Sequence, residues 1–277
     1  MGFFGKLFEK KACSVCGGEI GLLGNRKLED GNLCKDCAAR LSPWFSGRRQ
    51  STVAEIREQL ACREANQEKV AAFRTTRTLG ERTKLLLDED AGLFMVTSAR
   101  DLRQANPDVL SFSEVTGCKL DIEERKTEIE YRDAAGERQS FDPKRYACSY
   151  DFYIVISVNN PYFQEIRFRL NSTAVDNDAE TLLDGPNSAG SPRGGLWARR
   201  GGALTSNAEE VRASVAYQQY EAMGQEIREA LLQVRRQARD EAAAAAPKAA
   251  VTCPFCGATT TPDAGGCCEF CGGAVSG

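Results

Sequence analysis

Eight of the twelve cysteines are the residues whose type and spacing could do chemistry. They form four Cys-x-x-Cys pairs, two near each end of the chain: Cys13/Cys16, Cys34/Cys37, Cys253/Cys256 and Cys268/Cys271. A Cys-x-x-Cys turn brings two thiolates close enough to bind one ion at about 2.3 Å, and two such turns complete a tetrahedron with no open position. The closed tetrathiolate set is typical of structural zinc. We therefore predict two structural Zn²⁺ sites, one from the first two pairs and one from the last two.

The intervals between the pairs also favour zinc. Seventeen residues separate Cys16 from Cys34, and eleven separate Cys256 from Cys268, which are spacings of zinc ribbons. The alternatives are disulfides and buried free thiols. Disulfides belong to secreted chains, and the first residues, MGFFGKLFEKK, lack the apolar core of a signal peptide. We expect a cytoplasmic protein, with a peripheral position at the membrane as an open alternative.

Four cysteines remain outside the pairs. Cys267 is predicted to be a spare thiol, because Cys268 has the correct spacing to Cys271; whether Cys267 can replace Cys268 stays open at this point. The other three fall in apparent helix or strand and are expected to be buried, inert thiols: Cys62, Cys118 and Cys148.

The chain has no histidine, which excludes Ser-His-Asp and Cys-His nucleophile systems and histidine-ligated catalytic zinc. No phosphate-binding glycine motif is present either. We therefore expect no enzyme activity, no catalytic residue and no small-molecule substrate. Each zinc tetrathiolate adds −2, so two sites would take the formal charge of −3 to −7. An acidic chain argues against tight nucleic-acid binding by the whole molecule.

The elements that must position these cysteines differ along the chain. Residues 75–170 contain alternating apolar and polar segments, with strands predicted at 83–88, 92–98 and 109–114 and further alternation at 120–122, 129–131, 152–158 and 166–170. About seven strands joined by turns predict an antiparallel barrel or sandwich. A glycine- and arginine-rich insert at 177–205 interrupts this pattern, and the role of its part 185–202 is undefined.

Two helices are predicted on either side of the strands. The first covers 52–73 and begins with a capping box from Thr52 to Glu55. The second covers 207–246, begins with a box from Ser206 to Glu209 and ends before Pro247. Its apolar stripe is expected to pack on the core: Tyr220, Met223, Ile227, Leu231 and Val234.

Residues 3–11 form a short amphipathic segment with two interpretations. One is a membrane-surface anchor; the other is a staple packed on the first zinc module. The segment combines apolar and basic side chains: Phe3, Phe4, Leu7 and Phe8 with Lys6, Lys10 and Lys11.

Three stretches resemble known families. The run CSVCGGEIGLLGNRKLEDGNLCKDC resembles the N-terminal ribbon of an uncharacterised bacterial family of unknown function, and its cysteine spacing resembles a GATA-type DNA-binding finger. The end, CPFCGATTTPDAGGCCEFCGGAV, looks like a generic zinc ribbon. The middle, including NPDVLSFSEVTGCKLDIEE, is similar to bacterial PH-like and GRAM-like domains. That resemblance implies a barrel closed by a C-terminal helix, in a family whose members bind lipids, peptides or no known ligand.

Together these observations predict an α+β chain with a PH-like antiparallel barrel and a long C-terminal helix, flanked by two zinc ribbons. The predicted domains are a ribbon at 1–50, a connecting helix at 51–74, the barrel with its insert and long helix at 75–246, and a ribbon at 247–277. Each zinc module is expected to fold on its own. The predicted function is a non-enzymatic zinc-binding scaffold or adaptor that docks proteins and, through the segment at 3–11, a membrane surface. The alternative is a nucleic-acid-binding regulator that uses the N-terminal four-cysteine finger.

Overall fold

The computed structural model describes residues 11–177, 205–245, 250–263 and 266–275 of the 277-residue chain. Almost all of the amphipathic segment at 3–11 and most of the insert at 177–205 lie outside the described residues. The chain forms two compact units, Met1–Arg235 and Arg236–Gly277. Both helices and strands are present, which confirms the mixed helix and strand content predicted from the sequence.

The first module consists of four very short strands and one short helix. The strands are β1 (Lys11–Ala12), β2 (Glu19–Ile20), β3 (Arg26–Lys27) and β4 (Asn32–Leu33), and the helix is α1 (Lys35–Ala39). β1 pairs with β2, and β3 pairs with β4, both antiparallel. A 3₁₀ helix at Gly47–Gln50 follows. Strands of two residues cannot hold a fold by backbone hydrogen bonds alone, so the module depends on its small core and on its cysteines.

Helix α2 (Val53–Ala72) begins where the sequence predicted. The Thr52 hydroxyl accepts a hydrogen bond from the Glu55 amide at 3.3 Å, and the Thr52 amide donates to the Glu55 carboxylate at 2.7 Å. This reciprocal pair satisfies two amides that the first turn leaves without partners and confirms the predicted capping box.

Helix α2 packs on two different cores. Ile56 and Leu60, near its start, join the core of the first module. Val70, near its end, packs with Leu86 and Met95 of the following sheet. The first module therefore shares an element with the strands and lies in the same compact unit. This arrangement changes the expectation of an independently folding first module, because neither core is closed without the helix.

A four-stranded antiparallel sheet follows α2. It contains β5 (Arg77–Leu79), β6 (Lys84–Asp88), β7 (Leu93–Thr97) and β8 (Leu110–Ser111), in that order, with helix α3 (Leu102–Ala105) before β8. The strands predicted at 83–88 and 92–98 are confirmed. The prediction of a strand at 109–114 is wrong for residues 112–114. Ser111 and Glu114 form a capping box there and turn Phe112–Glu114 into a 3₁₀ helix.

A three-stranded antiparallel sheet contains the longest strands. It is ordered β11-β10-β9, with β9 (Val115–Arg132), β10 (Arg138–Val158) and β11 (Glu165–Arg169). Phe152, Ile154 and Ile156 alternate along β10 and are each 0% exposed, which defines the buried face. The four-stranded and three-stranded sheets share no strand pairing, and within the described residues no closed barrel forms, so the predicted closed barrel is not observed.

The helix predicted at 207–246 is two helices, α4 (Ala208–Arg212) and α5 (Val215–Ala245). The break lies at Ser214, whose hydroxyl accepts a hydrogen bond from the Tyr217 amide at 3.2 Å and so begins a new helix. The predicted capping box is also wrong: the N-cap is Asn207, whose side chain makes no capping bond to the helix and instead accepts a hydrogen bond from the Cys148 amide at 2.8 Å, and the Ser206 hydroxyl accepts from the Ala208 amide.

Helix α5 packs on the buried face of the three-stranded sheet. The Tyr217 ring meets the rings of Tyr150 and Phe152 edge-on, with centroids 5.1 and 5.0 Å apart. Further along, Ile227 and Leu231 of the predicted stripe are fully buried. The stripe therefore packs on the core, as expected.

The second unit contains the C-terminal module. Strands β12 (Val251–Thr252) and β13 (Thr259–Thr260) pair antiparallel, and its described core is only three residues, Cys253, Cys268 and Val275. Such a core is too small to hold a domain on its own.

Candidate metal centres

The first four predicted ligands converge at one point. The sulfurs of Cys13, Cys16, Cys34 and Cys37 all lie within 4.8 Å of one another. Cys13 and Cys37 are buried, whereas Cys16 is exposed at the surface. The cluster therefore lies at the edge of the module core rather than inside it.

Two local structures build this first cluster. Cys13 begins a tight turn in which the Gly17 amide donates to the Cys13 carbonyl at 2.8 Å and the Cys13 amide donates to the Gly18 carbonyl at 2.8 Å. Gly17 has a φ of 74°, which a side chain would strain. Cys34, in contrast, is the N-cap of α1, and its sulfur accepts a hydrogen bond from the Cys37 amide at 3.3 Å.

The second cluster is built from two copies of the tight turn. The sulfurs of Cys253, Cys256, Cys268 and Cys271 also lie within 4.8 Å of one another. The Gly257 amide donates to the Cys253 carbonyl, and the Gly272 amide donates to the Cys268 carbonyl. These two glycines have φ values of 75° and 70°. The two clusters thus share a ligand spacing but differ in construction, because only the first uses a helix.

The distances between sulfurs fit zinc. Four sulfurs at about 2.3 Å from one ion at the corners of a tetrahedron are about 3.8 Å apart. Cys16 and Cys34 sulfurs are 3.8 Å apart, those of Cys253 and Cys271 are 3.6 Å, and those of Cys256 and Cys268 are 3.7 Å. A disulfide needs about 2.05 Å, and no disulfide joins any of the twelve cysteines, all of which lie in the described residues. The donor sets therefore fit Zn²⁺, although its binding stays a prediction.

One thiol in each cluster is easily ionised. Desolvation raises the pKa of Cys13, but amide donors from Cys16, Cys34 and Val15 outweigh it and lower that pKa to about 6. The same balance lowers the pKa of Cys268 to about 6. The pKa of Cys37 is raised, first by desolvation and then by the neighbouring sulfurs. Four negative sulfurs so close together repel one another, and a bound divalent cation would remove that repulsion.

The other four cysteines are not members of either cluster. Cys268 belongs to the second cluster. The backbone of Cys267 forms an antiparallel β-bridge with Ala274, and its sulfur is not among the four clustered ones, in agreement with its prediction as a spare. Cys148 is 1% exposed. Cys118 is half-buried, not buried as expected, and desolvation raises the pKa of its thiol to about 12. The expectation for Cys62 is wrong: it is exposed on α2, with its sulfur 3.1 Å from the Tyr162 hydroxyl.

Sequence reasoning missed four exposed apolar side chains in the two four-cysteine modules. Leu22 and Leu23 are 82% and 86% exposed between β2 and β3. Phe255 and Phe270 are each 71% exposed, and each directly precedes the second cysteine of its pair. The sequence did contain a signal for this exposure. Each of these apolar residues lies in a turn, where neighbouring strands cannot cover its side chain.

The comparisons with known proteins cover only the first module. Residues 11–59 match the model of a family described as a domain of unknown function (DUF4428). The match spans the first cluster and the beginning of α2, so it agrees with the predicted N-terminal resemblance. No curated protein and no solved structure matches the chain. The resemblances of the middle and of the C-terminal end stay predictions.

Across the described residues, no helix combines the length and the apolar character that crossing a bilayer requires.

Proposed function

We propose that this chain is a non-enzymatic, zinc-stabilised adaptor whose two zinc modules dock partner molecules. One observation carries the proposal. The described residues include six large hydrophobic side chains with high exposure, and four of them lie in the two zinc modules: Leu22, Leu23, Phe255 and Phe270. Apolar groups held in water at a module surface favour a binding role over a purely structural one.

Closed metal sites support a structural role for zinc. Each cluster offers four thiolates, so a bound ion would have no open coordination position for a substrate or water. A structural zinc contributes about 10–16 kcal/mol of apparent binding free energy near neutral pH. That contribution replaces the core which the second module lacks. The zinc would thus hold a small surface rigid instead of catalysing a reaction.

The second module presents its two phenylalanines on a rigid base. The Phe255 ring lies against Gly273, where an added Cβ would come within 2.5 Å of the Phe255 ring carbon Cδ2. The ring therefore contacts the backbone of Gly273, although most of Phe255 is exposed. Residues 250–277 contain two acids, Asp263 and Glu269, and no lysine or arginine. A negatively charged surface with exposed aromatic rings suits a basic protein partner, because arginine and lysine also interact with ring faces.

The two sheets support a scaffold body of the PH-like kind. A four-stranded antiparallel sheet, a three-stranded antiparallel sheet and a following helix occur in that order along the chain. The resemblance to PH-like domains implies strands followed by a C-terminal helix, and the strands and helix of the middle region support this part of the proposal. In this proposal the sheets connect and orient the docking modules, and they carry no chemistry.

A direct binding test separates the docking surface from folding. Protein partners are first identified by cross-linking to the unmodified chain. The double substitution Phe255→Ser with Phe270→Ser should abolish this cross-linking, while the zinc content of the protein stays unchanged. Val215→Ser is the matched control, because Val215 is 81% exposed but lies on α5. If the phenylalanine variant binds like the control, or if the intact chain retains no protein partner, the adaptor proposal fails.

A second candidate function is nucleic-acid binding by the first module. It is favoured by four basic side chains in that module: Arg26, Lys27, Arg48 and Arg49. Phosphate contacts would make binding strongly dependent on salt concentration. A mobility-shift assay with duplex DNA and single-stranded RNA at low salt tests it, and the absence of a shift would remove this candidate.

A further inference from the structure

The turn between β2 and β3 projects two leucines into water. The Gly24 amide donates a hydrogen bond to the Gly21 carbonyl at 2.9 Å, so Leu22 and Leu23 occupy the two central positions of a tight turn. They are 82% and 86% exposed. We call residues 21–24 the leucine tip.

The base of the leucine tip is anchored. Ile20, directly before the tip, is only 7% exposed and belongs to the module core. Gly24 packs against Ile20 closely enough that an added Cβ would lie 3.4 Å from the Ile20 methyl carbon Cγ2. The two leucines are thus held apart from the core by the fold, and they cannot turn inward without breaking it.

A cluster of basic side chains lies beside the leucine tip, and we call Arg26, Lys27, Arg48 and Arg49 the basic cluster. The Arg26 guanidinium donates to the Leu23 carbonyl at 3.3 Å, and the Arg48 guanidinium donates to the Lys27 carbonyl at 2.7 Å. Burial and the nearby charges of Arg26 and Arg49 lower the pKa of Arg48.

No acid neutralises this basic cluster. Within the described residues, none of its four members forms an ion pair. The neighbouring acids Glu29 and Asp30 follow the other end of β3, and the Asp30 carboxylate accepts a hydrogen bond from the Val53 amide of α2. Arg26, which contacts the Leu23 carbonyl, and Arg48, which lies close to the charge of Arg26, therefore keep positive charge beside the exposed leucines.

We propose that the leucine tip inserts into an anionic phospholipid bilayer while the basic cluster contacts the headgroup phosphates. The inference extends the adaptor proposal and rests on it for its biological meaning. Apolar side chains next to lysine and arginine are the combination that binds the boundary between headgroups and acyl chains.

The shape of the leucine tip favours a bilayer over other partners. Two residues exposed on nearly all sides form a projection, and a fluid bilayer accepts a projection without a complementary cavity. A stable protein interface needs about 800 Å² of matched surface on each partner. Nucleic acid would use the basic cluster, but its phosphate backbone offers no apolar environment for two leucines.

Vesicle co-sedimentation of the zinc-loaded full chain tests the inference. Binding to vesicles of phosphatidylcholine with phosphatidylserine should exceed binding to phosphatidylcholine alone. Leu22→Ser with Leu23→Ser should weaken it on the order of a hundredfold. Lys27→Gln with Arg49→Gln should weaken it about fivefold per charge removed. Matched controls are Val215→Ser for exposure and Arg82→Gln with Arg103→Gln for charge, and both should bind like the unmodified chain.

Three outcomes would overturn the inference. The leucine variant binding like its control would show that another segment, such as residues 3–11, contacts the lipid. Equal binding to both kinds of vesicle would exclude the role of the basic cluster. Salt-dependent binding of DNA or RNA with no vesicle binding would assign the basic cluster to nucleic acid. Loss of protein partners in the phenylalanine variant is a separate result, so failure of the adaptor proposal is distinguishable from failure of this one.

A second measurement covers the case in which the leucine variant folds poorly. In Leu23→Trp, the emission maximum of the introduced tryptophan should shift to shorter wavelength when vesicles containing phosphatidylserine are added. The shift is expected because the indole ring would move from water into the bilayer. An unchanged emission spectrum at saturating lipid would contradict insertion of the leucine tip.

Discussion

At the scale of single residues, a buried polar network on α2 joins three parts of the first unit. The Arg63 guanidinium donates to the Asp108 carboxylate at 2.7 Å, and the Ser42 hydroxyl donates to the same carboxylate at 2.8 Å. The Asn66 amide donates to the Pro107 carbonyl at 2.8 Å, and its oxygen accepts from the Val109 amide at 3.0 Å. These bonds connect the end of the first module, the middle of α2 and the loop before β8.

The burial of one polar side chain in the same helix destabilises the fold. Gln59 is 1% exposed, and neither polar atom of its amide has a hydrogen-bond partner in the described parts of the chain. We expect Gln59→Met to raise the free energy of unfolding by about 1–3 kcal/mol, because it removes a desolvated amide and keeps the side-chain length. Chemical denaturation measures this change.

The matched substitution at Asn66 should have the opposite sign. Asn66→Leu also removes a buried amide, but it leaves the Val109 amide and the Pro107 carbonyl without their partner. We expect a loss of about 1–3 kcal/mol. If both Gln59→Met and Asn66→Leu lower the free energy of unfolding, Gln59 has a hydrogen-bond partner comparable to those of Asn66.

At the scale of elements, the hairpin of β9 and β10 extends beyond the strand that supports it. β11 pairs only with residues Tyr153–Ser157 of β10, whereas the β9–β10 pairing continues to Arg132 and Arg138. A two-stranded hairpin is marginally stable alone. Side-chain bonds along the hairpin compensate, including those of the Glu128 carboxylate with Ser140 at 2.7 Å and with Lys144 at 3.0 Å.

Acid should open the outer part of this hairpin. Hydrogen bonds from Ser140 and Lys144 lower the pKa of Glu128 below 4.5. The backbone amide of Glu137 lowers the pKa of Asp133 below 3.8 at the turn. Since both pKa values are lower in the folded hairpin, protonation favours the open form. The stabilising contribution is complete above the unfolded pKa values and is lost as the pH falls through the folded ones.

Carbon NMR of the carboxyl groups checks the two pKa values, and amide protection of residues 127–132 at pH 6 and pH 3 checks the opening. The amide protection of Gln104 at the start of α3 serves as an internal reference for loss of structure elsewhere. Its amide donates a hydrogen bond to the Asp101 carboxylate, which lies outside the hairpin. A Glu128 pKa at or above 4.5 would contradict the prediction.

At the scale of the whole molecule, the two four-cysteine clusters belong to different compact units. The first cluster shares its core with α2, and α2 also packs on the four-stranded sheet. The second cluster forms nearly the whole core of its own module. Loss of metal at the two ends should therefore have different consequences.

We expect the full chain to bind two zinc ions, and Cys37→Ser and Cys271→Ser to retain one each. Cys37→Ser should lower the main thermal transition of the first unit, because the start of α2 loses the core on which it packs. Cys271→Ser should leave that transition in place and unfold only the second module. Elemental analysis and calorimetry measure these effects. An unchanged main transition in Cys37→Ser would show that the first module folds independently.

The sequence predicted best those features that depend on a few adjacent residues. The tight turn around Cys13 closes through hydrogen bonds within six residues, and the capping box at Thr52 spans four. Their geometry therefore follows from the local residue types. The break at Ser214 was missed because a continuous helix and two successive helices have the same apolar periodicity, and a single hydroxyl bond distinguishes them.

By itself, then, the amino-acid sequence determined the four cysteine pairs, the alternating strands and the apolar stripe of α5, since chain geometry within a few residues specifies each of them. Only the tertiary structure decided that α2 completes two cores, that Cys62 faces water and that Leu22 and Leu23 remain uncovered. Burial is a property of contacts between distant segments. A local pattern records which side chains are apolar but not which of them will find a neighbour, and in this chain the uncovered ones suggest what it binds.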